Sequence, residues 1–188
     1  MENPRIQKLT VEDYWNLPDD GRRYEILDGL LEVTPSPVYE HQRTSGNLLA
    51  ALSNYLRKHP VGQVIAAPMD VILAPDLVCQ PDLLFIRKER LPDIVRDRIW
   101  GAPDLVVEIL SPATAQRDRI TKFQLYARYG VREYWIVDIG EQQIMRHELA
   151  EQAFGPAEIF RSGQKLISRL FPGLKLALIE IFDSPGEP

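Results

Sequence analysis

The chain has few of the residues that stabilise small secreted or metal-stapled proteins. Its single cysteine, Cys79, excludes an internal disulfide framework, which makes the cytoplasm the expected location. Three scattered histidines and one cysteine also argue against a structural zinc cluster. The sequence has no run of 18 apolar residues, and its first 23 residues lack an apolar segment. We therefore expect neither a membrane span nor a signal peptide.

Basic residues are also fewer than acidic ones: the chain has 22 Lys and Arg against 27 Asp and Glu, which gives a net charge of −5. A protein that coats nucleic acid is usually basic, so this role is disfavoured, although a local basic surface remains compatible with an enzyme acting on nucleic acid. A length of 188 residues, with 45% hydrophobic residues, fits one α/β domain. We expect residues 1–188 to form this domain, with a core at about 20–150, an N-terminal helix and C-terminal strands as extensions.

Hydrophobic periodicity and turn signals predict the order of the elements. Thr10 and Asp13 have capping-box spacing for a helix at 10–17, and Asp28-Gly29 predicts a hairpin between 24–27 and 30–34. Further helices are predicted at 40–58 and 115–129, with Gly130 as a C-terminal stop. Strands are predicted at 63–67, 70–73, 82–86, 104–110, 134–138 and 144–149. The charged stretch at 87–103 is expected to be a loop, with room for a turn of helix, and one or two short strands are expected after 157. The strand–helix–strand unit at 104–138 indicates a parallel crossover, and hence a mixed central β-sheet flanked by helices.

Glu108 is the most informative residue because it interrupts the apolar strand Leu105–Leu110. An ionised carboxylate in such a strand is costly unless a proton, a basic partner or a metal ion compensates it. Asp82 has a similar setting, since it heads the apolar stretch Leu83–Ile86. The dipeptide Pro81-Asp82 by itself says little, because five of the 15 prolines precede Asp. A salt bridge, or a strand end that reaches solvent, is the alternative interpretation for Glu108.

Two carboxylates on adjacent strands form an oxygen-rich site suited to Mg²⁺ or Mn²⁺, and such ions serve phosphodiester hydrolysis. Lys122, about two turns into the following helix, could reach back over the strand ends, where it would orient water or offset phosphate charge. The alternative is an ordinary ion pair with Asp118, four residues earlier, and the two interpretations are compatible. Glu25 in the hairpin either completes the metal shell or faces solvent.

Four further residues are candidate accessory groups. Gln80 could bind phosphate or metal through water, although turn polarity explains it equally well. Asp118 could pair with Lys122, and Tyr126 is expected to be a packing residue with its hydroxyl near the site. His41 opens a helix, where a cap or surface position is more usual than a catalytic base.

These residues lie within stretches that resemble the Uma-type endonuclease family, a former domain of unknown function in the PD-(D/E)XK superfamily. The resemblance covers about residues 8–182. The matching stretches are LTVEDY (9–14), RYEILDG (23–29), QPDL (80–83), GAPDLVVEILSP (101–112), RD (117–118), Lys122, YA (126–127) and GVREYWIVD (130–138). It implies a restriction-endonuclease-like core, with Asp82 and Glu108 as metal carboxylates joined by Glu25. The superfamily pattern places a lysine at position 110, where this chain has Leu, and the resemblance implies that Lys122 replaces it.

The leading hypothesis is therefore a Mg²⁺- or Mn²⁺-dependent endonuclease acting on DNA. The alternatives are a nuclease-fold binding or assembly module with little catalysis, favoured by the acidic charge and by Leu110, and a hydrolase of another phosphate ester. No glycine-rich loop supports a P-loop nucleotidase. A homodimer would suit an enzyme that cuts both strands, and Tyr14, Trp15 and Trp100 are candidate interface residues.

Overall fold

A computed structural model describes residues 8–182 of the chain, which form one long helix, several short ones and two runs of consecutive strands. The helices are α1 (Val11–Trp15), α2 (Tyr39–Lys58), α3 (Leu91–Ile94), α4 (Ala115–Arg117), α5 (Phe123–Arg128) and α6 (Leu178–Phe182), with a 3₁₀ turn at Lys88–Arg90 and a π-helical turn at Asp118–Lys122. The strands are β1 (Arg23–Leu27), β2 (Leu30–Thr34), β3 (Gly62–Ala66), β4 (Val71–Ala74), β5 (Leu77–Cys79), β6 (Leu83–Arg87), β7 (Ile99–Trp100), β8 (Leu105–Ile109), β9 (Glu133–Asp138), β10 (Gln143–Ala150), β11 (Ala153–Phe154), β12 (Glu158–Arg161), β13 (Lys165–Leu166) and β14 (Leu176–Ala177).

The N-terminal hairpin forms as its turn sequence predicts. Leu27 pairs with Leu30 across a two-residue loop, in which Asp28 and Gly29 have φ angles of 51° and 82°. Two positive φ angles characterise the type I′ turn that Asp-Gly favours. The capping box of α1 is present as well, because the Thr10 side chain accepts from the backbone of Asp13 and the Asp13 carboxylate accepts from the backbone of Thr10.

This hairpin belongs to a five-stranded sheet, which we call the N-terminal sheet. Its strand order in the described residues is β2-β1-β5-β4-β7. The sequence did not predict this second sheet, since β5 is only three residues long and β7 only two. The chain leaves the N-terminal sheet at Cys79 and enters the central sheet at Leu83. Asp82 therefore stands at the passage from one sheet to the other.

The central sheet is mixed, as expected. In the described part of the chain its order is β11-β10-β9-β8-β6-β3, with β12 also paired to β10. Strands β8 and β9 are parallel and are connected through the helical segment 115–128, which confirms the predicted crossover. Strand β6 is antiparallel to both β3 and β8, and β10 is antiparallel to β9.

Both faces of the central sheet are covered at its middle, so strands β6, β8 and β9 are buried along nearly their whole length. Helix α2 packs Leu48, Leu52 and Leu56 in one core cluster with Leu105 and Val107. Val106, which lies between Leu105 and Val107 on the strand, belongs to a second cluster that includes residues of α5 and of the N-terminal sheet. Because side chains alternate along a strand, Glu108 lies on the same face as Val106, toward α5.

Besides β5 and the short elements α3 and β7 in the expected loop at 87–103, the structure differs from the prediction in two further segments. The predicted helix at 115–129 is divided by the π-helical turn, which contains Lys122. The tail contains β12, β13 and β14, and its last apolar piece, residues 179–182, lies in helix α6 rather than in a strand. Within residues 8–182, no helix has both the length and the apolar character needed to cross a membrane.

Candidate active site

Asp82 is held at the start of β6 by groups from three other elements. Its Oδ2 accepts the backbone N–H of Ile109 at 2.9 Å and lies 3.1 Å from Nε2 of His41. Its Oδ1 accepts from Nη1 of Arg23 at 3.3 Å. Burial raises the pKa of the Asp82 carboxyl, but His41, the Ile109 amide and Arg23 outweigh it and lower the pKa overall. Asp82 is therefore a buried carboxylate that keeps its negative charge.

Glu108 projects from β8 toward the helical segment of the crossover. Its Oε1 accepts a hydrogen bond from Nζ of Lys122 at 2.8 Å and from the Tyr126 hydroxyl at 2.7 Å. Both bonds end on the same oxygen, so Oε2 is the atom through which Glu108 can bind a further cation. The salt bridge that was the alternative interpretation of Glu108 is thus present.

Lys122 lies at the centre of the carboxylates. Its Nζ is 2.8 Å from Oε1 of Glu108 and 2.8 Å from Oε1 of Glu25, and 3.8 Å from Oδ1 of Asp118. The predicted approach of Lys122 to the strand ends and its pairing with Asp118 therefore coexist. Burial alone would lower the pKa of the Lys122 ammonium, but the three carboxylates raise it well above its usual range.

Glu25 is buried in the hairpin and does not face solvent. Its Oε1 accepts the backbone N–H of Gln80 at 2.7 Å, in addition to its ion pair with Lys122. Its Oε2 lies 3.5 Å from Nη2 of Arg117. Glu25 also pairs across the hairpin with Glu32, which lies 3.3 Å from Nη1 of the same arginine. Both oxygens of Glu25 thus already face cations or an amide.

The candidate accessory residues take different places. His41 is buried, in contrast to a cap or surface residue, and its Nδ1 has no hydrogen-bond partner among residues 8–182. Gln80 bonds through its side chain to Asp70 at 2.8 Å, and so acts in the framework. Asp118 is buried, and its Oδ1 makes no hydrogen bond within the described residues. Tyr126 is fully buried with its hydroxyl on Glu108, as expected.

Sequence reasoning missed Arg23 and Arg117 as members of the site. Arg23 bonds to Asp82 and to the backbone carbonyl of Gln80, and Arg117 bonds to Thr34 at 2.9 Å and contacts the two hairpin glutamates. Each arginine lies within a family-like stretch, but only the packing of the N-terminal sheet against the central sheet shows where the guanidinium groups point.

Asp82, Glu108, Glu25 and Lys122 line one cavity of about 290 Å³. Its walls come from the segment 34–38, which precedes α2, and the segment 111–114, which follows β8. The functional groups lie deep, since the exposed fractions of Glu25, Asp82 and Glu108 are 1%, 5% and 3%.

The protonation of Glu108 reflects this depth. Burial raises the pKa of its carboxyl to about 8, and Asp118, Asp82 and Glu25 act in the same direction while Lys122 opposes them. With its pKa raised in this way, Glu108 lies close to the change between its protonated and ionised forms near neutral pH, and a cation in the cavity favours the ionised form.

The carboxylate oxygens of the cavity suit a hard divalent cation, but only as a site with two carboxylate ligands. Asp82 and Glu108 supply oxygen atoms to one cavity, and Mg²⁺ commonly binds one or two carboxylates while keeping several waters. Within residues 8–182, however, no group of three or more His, Cys, Asp and Glu side chains is arranged to hold a metal ion. The ammonium of Lys122 lies between Glu108 and Glu25, so these two do not form a ligand pair in this state.

Comparison with solved structures identifies the class of fold. A crystal structure described as "a putative nuclease belonging to DUF820 from Anabaena variabilis ATCC 29413" superposes with a TM-score of 0.78. The sequences are 18% identical, and the match covers 93% of this chain and 97% of that one. The chain thus has the same fold as that protein, a mixed sheet flanked by helices.

The family follows from the sequence. The family model of Uma2, described as "Putative restriction endonuclease", matches residues 11–179, and the chain belongs to this family. The predicted resemblance is therefore confirmed over nearly its whole extent. No curated protein matches the chain. The description of the family supports nuclease, and hence hydrolase, activity in general.

Proposed function

We propose that the chain is a Mg²⁺- or Mn²⁺-dependent endonuclease that hydrolyses phosphodiester bonds in DNA. The observation that carries the proposal is the convergence of Asp82, Glu108 and Lys122 in one cavity, although they come from three separate segments. A divalent ion held by Asp82 and Glu108 would activate water and neutralise the charge that develops on the phosphate. The remaining steps depend on residues of the chain itself.

Lys122 contributes a fixed positive charge rather than a base. Its raised pKa keeps the ammonium protonated, so it suits the orientation of an attacking water and the stabilisation of negative charge. Glu25 holds Lys122 in position through Oε1. Glu25 would bind the metal ion through this oxygen only if Lys122 moved away from it. Tyr126 donates to Glu108 and limits the rotation of that carboxylate. His41 and the Ile109 amide fix the orientation of Asp82 in the same way.

The test is cleavage by purified protein of supercoiled plasmid and of circular single-stranded DNA, with Mg²⁺ or Mn²⁺ and with a chelator. Asp82→Ala and Glu108→Gln are both expected to lower cleavage by about 100-fold or more, beyond the 10- to 100-fold usual for residues outside the metal shell. Asp93→Ala is the matched control, because Asp93 also follows a proline but is exposed in α3. Vigorous cleavage by the Asp82→Ala protein, or cleavage that persists in chelator, would refute the proposal.

A second candidate is a nuclease-fold binding module with little catalysis. One observation favours it: Arg23, His41 and Lys122 already compensate the carboxylates of Asp82 and Glu108. Calorimetric titration with Mn²⁺ separates the two, since a binding module is expected to take up no metal in the micromolar-to-millimolar range. The cytoplasmic location and the homodimer remain predictions.

A further inference from the structure

The π-helical turn at Asp118–Lys122 begins and ends with a charged residue, and π-helical turns are often found at functional sites. The ammonium of Lys122 lies 2.8 Å from carboxylate oxygens of both Glu25 and Glu108. Asp118 is only 2% exposed, yet its Oδ1 makes no hydrogen bond within residues 8–182. A buried carboxylate oxygen without a donor is costly, so this oxygen of Asp118 calls for an explanation.

Lys122 is within reach of that oxygen. Its Nζ lies 3.8 Å from Oδ1 of Asp118, so an approach of about 1 Å would give a hydrogen bond of ordinary length. Glu25 and Glu108 leave one N–H of the ammonium free for a further acceptor. The flexible stem of lysine allows a shift of this size without a change in the helix backbone. Lys122 can thus exchange one of its carboxylate partners for Asp118.

A divalent ion on Glu108 would compete with Lys122 for the same carboxylate. Lys122 and Tyr126 both bond to Oε1 of Glu108, which leaves Oε2 for the ion. Two cations on one carboxylate repel each other, and the repulsion is strong where burial keeps water away. Glu108 is only 3% exposed, so movement of the ammonium toward another anion would lower this repulsion.

Asp118 is the anion that the cavity offers. Both oxygens of Asp82 already accept hydrogen bonds, one from Arg23 and the other from the Ile109 amide. Both oxygens of Glu25 likewise face a donor or a cation. Asp118 lines the same cavity and has an oxygen that lacks a donor. Movement of the ammonium toward Asp118 would therefore replace its bond to Glu108 and supply the bond that Oδ1 lacks.

We infer that Asp118 is a positioning residue, which takes up the ammonium of Lys122 when a divalent ion binds Glu108, while Glu25 keeps its own bond to Lys122. The inference rests on the proposed metal-dependent function and adds the means by which the site admits its metal ion. The ammonium stays beside the substrate after the exchange, because Asp118 and Lys122 both line the cavity. Asp118 acts on metal affinity through Lys122 and not as a ligand.

The test is a double-mutant cycle in which calorimetry measures Mn²⁺ affinity in the parent, in Asp118→Asn, in Lys122→Met and in the double variant. Asp118→Asn is expected to weaken Mn²⁺ binding about fivefold or more, since residues in one ion-pair network commonly couple to this extent. In the Lys122→Met background the same change should alter the affinity by about twofold or less, because no ammonium is left for Asp118 to receive.

Asp93→Asn is the matched control, because it makes the same change in an exposed residue of α3 that lies outside the cavity, and the affinity should not change. An equal loss of affinity in the two backgrounds would mean that Asp118 is itself a ligand, and it would overturn the inference. An Asp118→Asn protein that binds Mn²⁺ as tightly as its parent would overturn it as well.

A crystal structure of the parent with Mn²⁺ decides the inference even if Asp118→Asn does not fold. Nζ of Lys122 is expected to lie closer to Oδ1 of Asp118 than to either oxygen of Glu108, and an ammonium that stays on Glu108 overturns the inference. The proposed function is decided separately. A parent that takes up no Mn²⁺ overturns both, whereas Mn²⁺ binding that Asp82→Ala abolishes upholds the metal site whichever way the cycle turns out.

Discussion

Replacing Lys122 with methionine tests the architecture of the site through stability rather than activity. The substitution keeps the length of the side chain but removes the ammonium that lies 2.8 Å from both Glu25 and Glu108. Breaking a buried ion pair by removing one partner typically costs about 3–5 kcal/mol. The lower end applies here, since Glu108 can take up a proton and Glu25 keeps the Gln80 amide and Arg117.

We expect a loss of about 3 kcal/mol in the free energy of unfolding for Lys122→Met in chelator, measured by urea denaturation. For a chain of this size each kcal/mol corresponds to about 2–4 °C, so the melting temperature should fall by roughly 6–12 °C. The control is Lys88→Met, since Lys88 is exposed in the 3₁₀ turn and should stay within about 0.5 kcal/mol of the parent.

Mn²⁺ provides a second readout of the same substitution. Without Lys122 the carboxyl groups of Glu25, Glu108 and Asp118 lose the ammonium that they share. A cation bound only to the folded state stabilises it, by about 2.7 kcal/mol at 100 times its dissociation constant. Saturating Mn²⁺ should therefore raise the unfolding midpoint of Lys122→Met more than that of the parent. A variant as stable as Lys88→Met in chelator, or one that gains no more from Mn²⁺ than the parent, would show that Lys122 does not neutralise the site.

Two further outcomes are expected. Because burial raises the pKa of Glu108 to about 8, Mn²⁺ must displace a proton in order to bind. The Mn²⁺ affinity measured by calorimetry should therefore rise up to about tenfold per pH unit below about pH 8 and level off above it. An affinity that does not depend on pH would contradict this. Asp104→Asn should lower the free energy of unfolding by about 3 kcal/mol in urea, because the fully buried Asp104 holds Arg87 and Arg90 at 2.9 and 3.0 Å. Its Mn²⁺ affinity should not change, since Asp104 lies outside the cavity, and an altered affinity would count against a purely structural role.

Local signals in the sequence were enough to predict the elements around the site. Asp28-Gly29 predicted the hairpin, and the apolar run with Gly130 beyond it predicted the parallel crossover from β8 to β9. The position of Glu108 within an apolar strand predicted a compensated carboxylate, because the cost of burying a charge does not depend on the details of the fold. The structure supplies the compensating groups, Lys122 and Tyr126.

Contacts between distant segments were not predictable in this way. Strands β5 and β7 have too few residues to show a period, so the second sheet was missed. The helix expected at 115–129 contains a π-helical turn, which no propensity indicates. His41 was expected at a cap or on the surface, yet it is buried against Asp82, 41 residues further along the chain. Arg23 and Arg117 were missed as site residues for the same reason.

The passage of the chain between the N-terminal and the central sheet has a consequence for cooperativity. Glu25 belongs to the N-terminal sheet and Glu108 to the central one, and Lys122 holds both. An opening motion that separates the sheets would dismantle the site while the core beneath α2 stays packed, because that core lies on the opposite face of the central sheet. Substitutions along the contact between the sheets would then set the fraction of molecules with an assembled site, without altering any group in the cavity.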